Sequence, residues 1–189
     1  MERATEVLRK EHDAILKMLE AATRTSEHLE HSHSVNSQIL DDLLEFFQLF
    51  ADKCHHGKEE DLLFPFLEKK GMPRDGGPIG VMLHEHELGR KLIAEMAASS
   101  AAYGAGDSSA GMRWARAARQ YVDLLSQHIS KENNVLFTMA ERILSEDEQQ
   151  QIATAFEKLE IEKMGVGTHE RLHAKMNKVL AELGPAGGG

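Results

Sequence analysis

The stretch "KCHHGKEEDLLFPFLEKKG" (Lys53–Gly71) sets two adjacent histidines four residues ahead of two adjacent glutamates. On an α-helix, residues four apart share a face, so His55 pairs with Glu59 and His56 with Glu60. Either pair could form half of a metal site. Both stripes carry apolar neighbours, so face analysis alone does not choose between them. A second copy of the pattern does favour one. "HHGKEEDLLFP" resembles "HISKENNVLFT": matching Lys58 with Lys131 and Leu63-Phe64 with Leu136-Phe137 sets His55 opposite His128 and Glu59 opposite Glu132. "KEHDAIL" around His12 likewise resembles "HEHELGR" around His86, aligning Glu11 with Glu85. The intervals agree, at 43 residues from His12 to His55 and 42 from His86 to His128. Lys53, three residues before His56, is an awkward neighbour for a cation and leans the same way. His56 and Glu60 are then expected to be supporting or surface groups.

Outward from this stretch, apolar residues recur at helical spacing almost everywhere, and strand alternation is nowhere convincing. The pattern predicts a first helix over residues 5–30 and a second from about Val35 into the quoted stretch, stopped by "GMPRDGGP". A kink or local break is expected at Pro65. A third helix starts near Pro78, followed by a small-residue loop, "ASSAAYGAGDSSAG". A fourth spans residues 112–144. Ser145 with Glu148 makes a capping box for a fifth helix through Lys163, and Thr168 opens a sixth. The expected architecture is all-α: an up-down four-helix bundle over residues 1–144, a helical extension packed on it over 145–183, and a disordered tail over 184–189.

Bulk properties narrow the function. A chain of 189 residues suffices for one well-buried domain. The formal charge of −9 offers no basic stripe for nucleic acid. No apolar run approaches a membrane span and the N-terminus lacks a signal-peptide core, so neither partner is expected. A lone cysteine, Cys54, forms no internal disulfide and fits a cytoplasmic setting.

The eleven histidines are the compositional anomaly. His12, His55, His86 and His128, with Glu59 and Glu132, make two equivalent sets of donors facing a bundle core. Four neutral imidazoles and two bridging carboxylates suit a pair of first-row ions, iron or manganese, with an oxo or hydroxo bridge and open positions. The set is too hard and too high-coordinate for a tetrahedral structural zinc. It also differs from ferritin-like sites, which are carboxylate-dominated.

His12, His55-x-x-x-Glu59 running into "EEDLLFP", Glu85-His86, and His128-x-x-x-Glu132 in "HISKENNVLF" resemble the hemerythrin-like, HHE cation-binding family. The resemblance covers about residues 2–141. It implies a four-helix bundle with a non-haem di-iron centre held by these six residues. Oxygen-carrying hemerythrins have five histidines; here Met82 stands four before His86 and Glu132 four after His128, which departs from the carrier pattern. The four-His, two-Glu form looks closer to the di-iron domain of repair-of-iron-centres proteins, without their extra cysteine-containing N-terminal domain. The expected activity is binding or reducing O2, NO or peroxide in an oxidative or nitrosative stress role, with an unidentified electron donor. The alternative is a non-catalytic oxygen or redox sensor, or an iron store.

Other motifs carry weaker signals. "HERLH" (His169–His173) matches the letters of a zincin motif but lies on a short terminal helix, where an exposed face, or else extra ligands or a cap over the centre, is expected instead. His84 and the His28, His31, His33 cluster read as surface. Tyr121 reads as a core tyrosine that could line the pocket, and Cys54 as a buried small apolar residue.

Overall fold

A computed structural model of the chain describes residues 2–32 and 34–184. The expected disordered tail, apart from Gly184, and His33 lie outside the described residues. Helix α1 is Ala4–Ser32. Helix α2 runs over residues 37–69, α3 is Pro78–Gly104, α4 runs over residues 110–143, α5 is Glu146–Met164 and α6 is Thr168–Leu183. Among the described residues there is no strand. No helix among them is long and apolar enough to cross a membrane.

Local signals explain the boundaries. Asn36 caps α2 by accepting from the Gln38 N–H, and Ser145 and Glu148 form the expected capping box. Gly80, on the first turn of α3, meets the preceding loop so closely that a Cβ there would lie 2.7 Å from the Arg74 carbonyl oxygen. The expected loop "ASSAAYGAGDSSAG" is largely helix: α3 continues to Gly104 and α4 begins at Ala110. Four of its small residues, Ser99, Ser100, Ala110 and Gly111, are packing surface. Ser99 and Ser100 are buried, the Ser100 hydroxyl donates to Asp41, and Tyr103 bonds the Val35 backbone in both directions.

Two helices depart from α geometry where the chemistry lies. In α2, Phe47–His56 and Glu59–Leu63 are π-helical; in α4, Glu132–Leu136 is. Wide turns of this kind tend to occur at functional sites. The Phe64 N–H donates to Glu59, and the Phe137 N–H to Glu132, each five residues back. Pro65 therefore enters where the ladder shifts register, and the helix continues through it to Lys69 without ending.

Two apolar clusters fill the bundle, one around Phe46, Phe47, Trp114 and Tyr121, the other around Leu8, Phe64, Phe137 and Phe156. Every bundle helix passes from one cluster to the other through a histidine. Helix α1 goes from Leu8 through His12 to Ile15, and α2 returns from Ala51 through His55 to Leu63. Helix α3 goes from Met82 through His86 to Ile93, and α4 returns from Leu125 through His128 to Leu136. The alternating sense is the up-down arrangement, and it stacks the histidines in one layer. Leu172, Met176 and Val179 of α6 join the first cluster; Ile152, Ala153 and Phe156 of α5 join the second.

Candidate metal centre

His12, His55, Glu59, His86, His128 and Glu132 are all buried in that layer. Each glutamate spans two imidazole groups. Glu59 places Oε1 3.7 Å from His55 Nε2 and Oε2 3.5 Å from His86 Nε2. Glu132 places Oε2 3.1 Å from His12 Nε2 and Oε1 3.2 Å from His128 Nε2. His12 and His55 thus form one nitrogen group and His86 and His128 another, with two carboxylates between.

His56 belongs to this layer as well, contrary to the peripheral place expected for it. It is buried, its ring stacks on His86 at 3.9 Å, and it groups with Glu59, His86 and His128 as a set whose donor atoms lie within 4.8 Å of one another. His12, His55, Glu59 and Glu132 form the companion set. The repeat hides His56, because its counterpart there is Ile129, and a 3.6-residue period sets His55 and His56 on different faces. The π-helical Phe47–His56 has more residues per turn, so neighbouring side chains diverge less and both His55 and His56 stay inside. The adjacent pair itself was the available signal.

The other ring nitrogen of every cluster histidine meets an acceptor. His55 Nδ1 is 2.9 Å from Glu11, His128 Nδ1 2.9 Å from Glu85, His86 Nδ1 2.6 Å from Glu60, His12 Nδ1 2.9 Å from the Asn133 side-chain oxygen, and His56 Nδ1 3.4 Å from Asp52. With Nδ1–H donating, each neutral imidazole leaves its Nε2 lone pair for a cation. Glu60 is therefore a support for His86, as expected. The supports are themselves held: Lys58 pairs with Glu11, Lys131 with Glu85, and Arg90 bridges Asp52 at 2.8 Å and Glu60 at 2.7 Å.

Electrostatics divide the imidazoles of the metal-free layer. Burial pushes His55 down to about 4 and, with His86 adding, His56 down to about 3, so both imidazoles are neutral. Burial and the neighbouring Glu132 push the Glu59 carboxyl well above its usual range. Burial opposes the His128 imidazolium, but Glu132 and Glu85 overcome it and push the group up to about 9. Glu11 is pulled down to about 2, its burial outweighed by His55 and Lys58.

His12 Nε2, His55 Nε2 and all four oxygens of Glu59 and Glu132 are buried without a hydrogen-bond partner. Each such orphan costs roughly 1–3 kcal/mol, and six around one point call for positive charge. Nitrogen and oxygen donors in this ratio fit iron or manganese. The donor set therefore fits the metal that the resemblance implies.

The remaining sequence candidates lie elsewhere. His84, His28 and His31 are exposed. Cys54 is buried, and burial pushes its thiol up to about 12. Tyr121 is buried against Phe47, its hydroxyl without a partner. His169 and His173 stand beside Phe50 and outside the two donor sets, His169 near Glu11, and Glu170 is exposed.

These features define a metal-binding helical bundle of the non-haem iron class. The chain belongs to the hemerythrin HHE cation binding domain family, whose match covers residues 3–140. Among its relatives is an uncharacterized protein of Mycobacterium tuberculosis, 24% identical over 96% of this chain and 70% of that protein. The iron-sulfur cluster repair protein YtfE of Dickeya chrysanthemi is 29% identical over 75% of this chain and 66% of its own length. The iron-sulfur cluster repair protein DnrN of Neisseria gonorrhoeae is 37% identical over 44% and 54%. No solved structure matches at significance.

Proposed function

We propose that the chain binds two non-haem iron ions in the histidine–glutamate layer and acts on a small ligand, O2, NO or peroxide, under oxidative or nitrosative stress. The two-glutamate bridge carries this reading: each carboxylate offers one oxygen to each imidazole group. Relatives named for iron-sulfur cluster repair support the stress setting. The ligand set is His12, His55, Glu59, His86, His128 and Glu132, with His56 as a fifth imidazole.

A pair of irons there would supply one-electron chemistry and an open coordination position. The protein's part is selection and placement. His56, His86 and His128 would give three nitrogens to one position and His12 and His55 two to the other, with the glutamates bringing each set to four donors. Glu11, Glu60 and Glu85 fix imidazole tautomers and make the nitrogens better donors. Phe64 and Phe137, stacked at 6.0 Å on His86 and 5.4 Å on His12, keep the layer apolar on one side, so bulky or charged molecules are excluded.

Metal analysis with absorption spectroscopy of protein from iron-replete cells, before and after reductant and peroxide, tests the reading. Two irons per chain with absorption that bleaches on reduction is the expected outcome. A chain holding no metal, or one zinc, contradicts it.

A further inference from the structure

Lys58 and Lys131 are equivalent in the internal repeat, and each pairs with a carboxylate that supports a cluster histidine. Their surroundings differ. The Lys131 side chain is 41% exposed, whereas that of Lys58 is 2% exposed because α5 closes over it. Between α5, α6 and the first two helices lies a cavity of about 360 Å³, lined by Glu11, Lys58, Glu160, His169, His173 and Phe50 among others. One donor atom each of Glu11, Glu160 and His169 lies within 4.8 Å of the other two. The Lys58 ammonium bonds Glu11 and, at 2.8 Å, Glu160, so the two carboxylates already stabilise positive charge at this point.

We propose that this cavity is a second, exchangeable site for a divalent cation, held by Glu11, Glu160 and His169 and joined to the histidine–glutamate layer through Glu11. Two carboxylate oxygens and one imidazole, with room for water, suit Fe2+ or Mn2+. The incoming ion takes the place of the Lys58 ammonium, whose flexible four-carbon stem can withdraw. Glu11 turns one oxygen to the cavity and receives His55 Nδ1 on the other. An ion captured here therefore waits beside the His12/His55 end of the layer, and the cavity serves as its loading vestibule. The pseudo-equivalent Glu85 and Lys131 have no such cover, which makes loading one-sided. The cation site stands on its own residues; the loading role rests on the di-iron reading above.

The test adds Mn2+ to iron-loaded protein and counts bound ion from the electron paramagnetic resonance of what stays free. One further equivalent is expected, weakened at least tenfold in Glu160→Gln and in His169→Ala while iron absorption stays unchanged. No further equivalent, or one that both variants retain at full affinity, overturns the site. The loading role predicts that metal-free Glu160→Gln takes up Fe2+ at least threefold more slowly yet reaches the same final iron count. Uptake at the unchanged rate overturns that role. A chain that binds Mn2+ in the cavity but no iron in the layer contradicts the di-iron reading and leaves the cavity site standing.

Discussion

The two halves of the bundle, related by an offset of 73 or 74 residues, share a scaffold but not a charge pattern. Glu11 and Lys58 behind His55 repeat as Glu85 and Lys131 behind His128. The π-helical turns beginning at Glu59 and Glu132 repeat too. The break comes next to this shared part. Where the first half has His56, Asp52 and Glu60, the second has Ile129, Leu125 and Asn133; Arg90 of the second half, which bridges Asp52 and Glu60, has Leu16 as its counterpart in the first. Duplication thus supplies two groups of imidazoles, and a few charged residues make them unequal. One group has three imidazoles backed by carboxylates; the other has two, one of them backed only by the Asn133 amide.

The largest expected effect removes what the halves share. Glu59→Ala and Glu132→Ala each strip a bridge, and iron per chain should fall from two to near zero by elemental analysis; two irons retained in either would break the bridged arrangement. His56→Ala attacks the asymmetry. It should lose one iron, or weaken one at least tenfold, and leave the His12/His55 position occupied. Wild-type iron content and absorption in that variant would restore a symmetrical four-imidazole layer.

Changes one step out sharpen the comparison. Glu60→Gln, which weakens the support of His86, should lower iron affinity by roughly 10–100-fold, the usual range for such supports. Asn133→Ala should cost less, because a neutral amide adds less to the basicity of His12. A chelator competition that ranks them the other way would contradict the charge argument.

The metal-free protein should also reveal itself by pH. His55 and His56 are held below their ordinary 6.5, so unfolding takes up protons and stability rises with pH between about 4 and 6.5. His128 is held at about 9, so its contribution is fully present below 6.5 and is lost as pH rises through 9; the raised Glu59 carboxyl adds to that fall. Thermal melting of metal-free protein should peak near pH 6.5. Bound metal keeps His128 neutral at Nε2, so the loaded protein should lack the fall toward pH 9. Parallel profiles would contradict the assignment of His128. The smallest effect is expected at Tyr121→Phe. Its hydroxyl is buried without a partner, so removal should change stability by less than about 1 kcal/mol in denaturant titrations.

Much of this was legible in the chain because the signals were periodic or repeated. Apolar spacing and terminus signals marked the six helices of the described residues, and the Ser145–Glu148 capping box appears in the structure as read. The internal repeat brought His12, His55, Glu59, His86, His128 and Glu132 to one list, and the fold brings them to one layer. What escaped depends on features that a 3.6-residue period hides. His56 faces inward because a π-helical stretch keeps adjacent residues on nearly one side. Pro65 does not break its helix because the ladder changes register at Phe64. Residues 98–104 looked like a loop by composition, but Ser99 and Ser100 are buried and Tyr103 bonds Val35, which holds this last stretch of α3 on its neighbours. Lys58 and Glu11 could be matched in the repeat, yet their burial together depends on α5, which lies a hundred residues away.

The most direct test of two unequal cation positions is Mössbauer spectroscopy of protein loaded with 57Fe to its full complement. Two quadrupole doublets of equal area with different splittings are the predicted result, with His56→Ala removing or shifting one of them. A single doublet unaffected by that substitution would contradict the account.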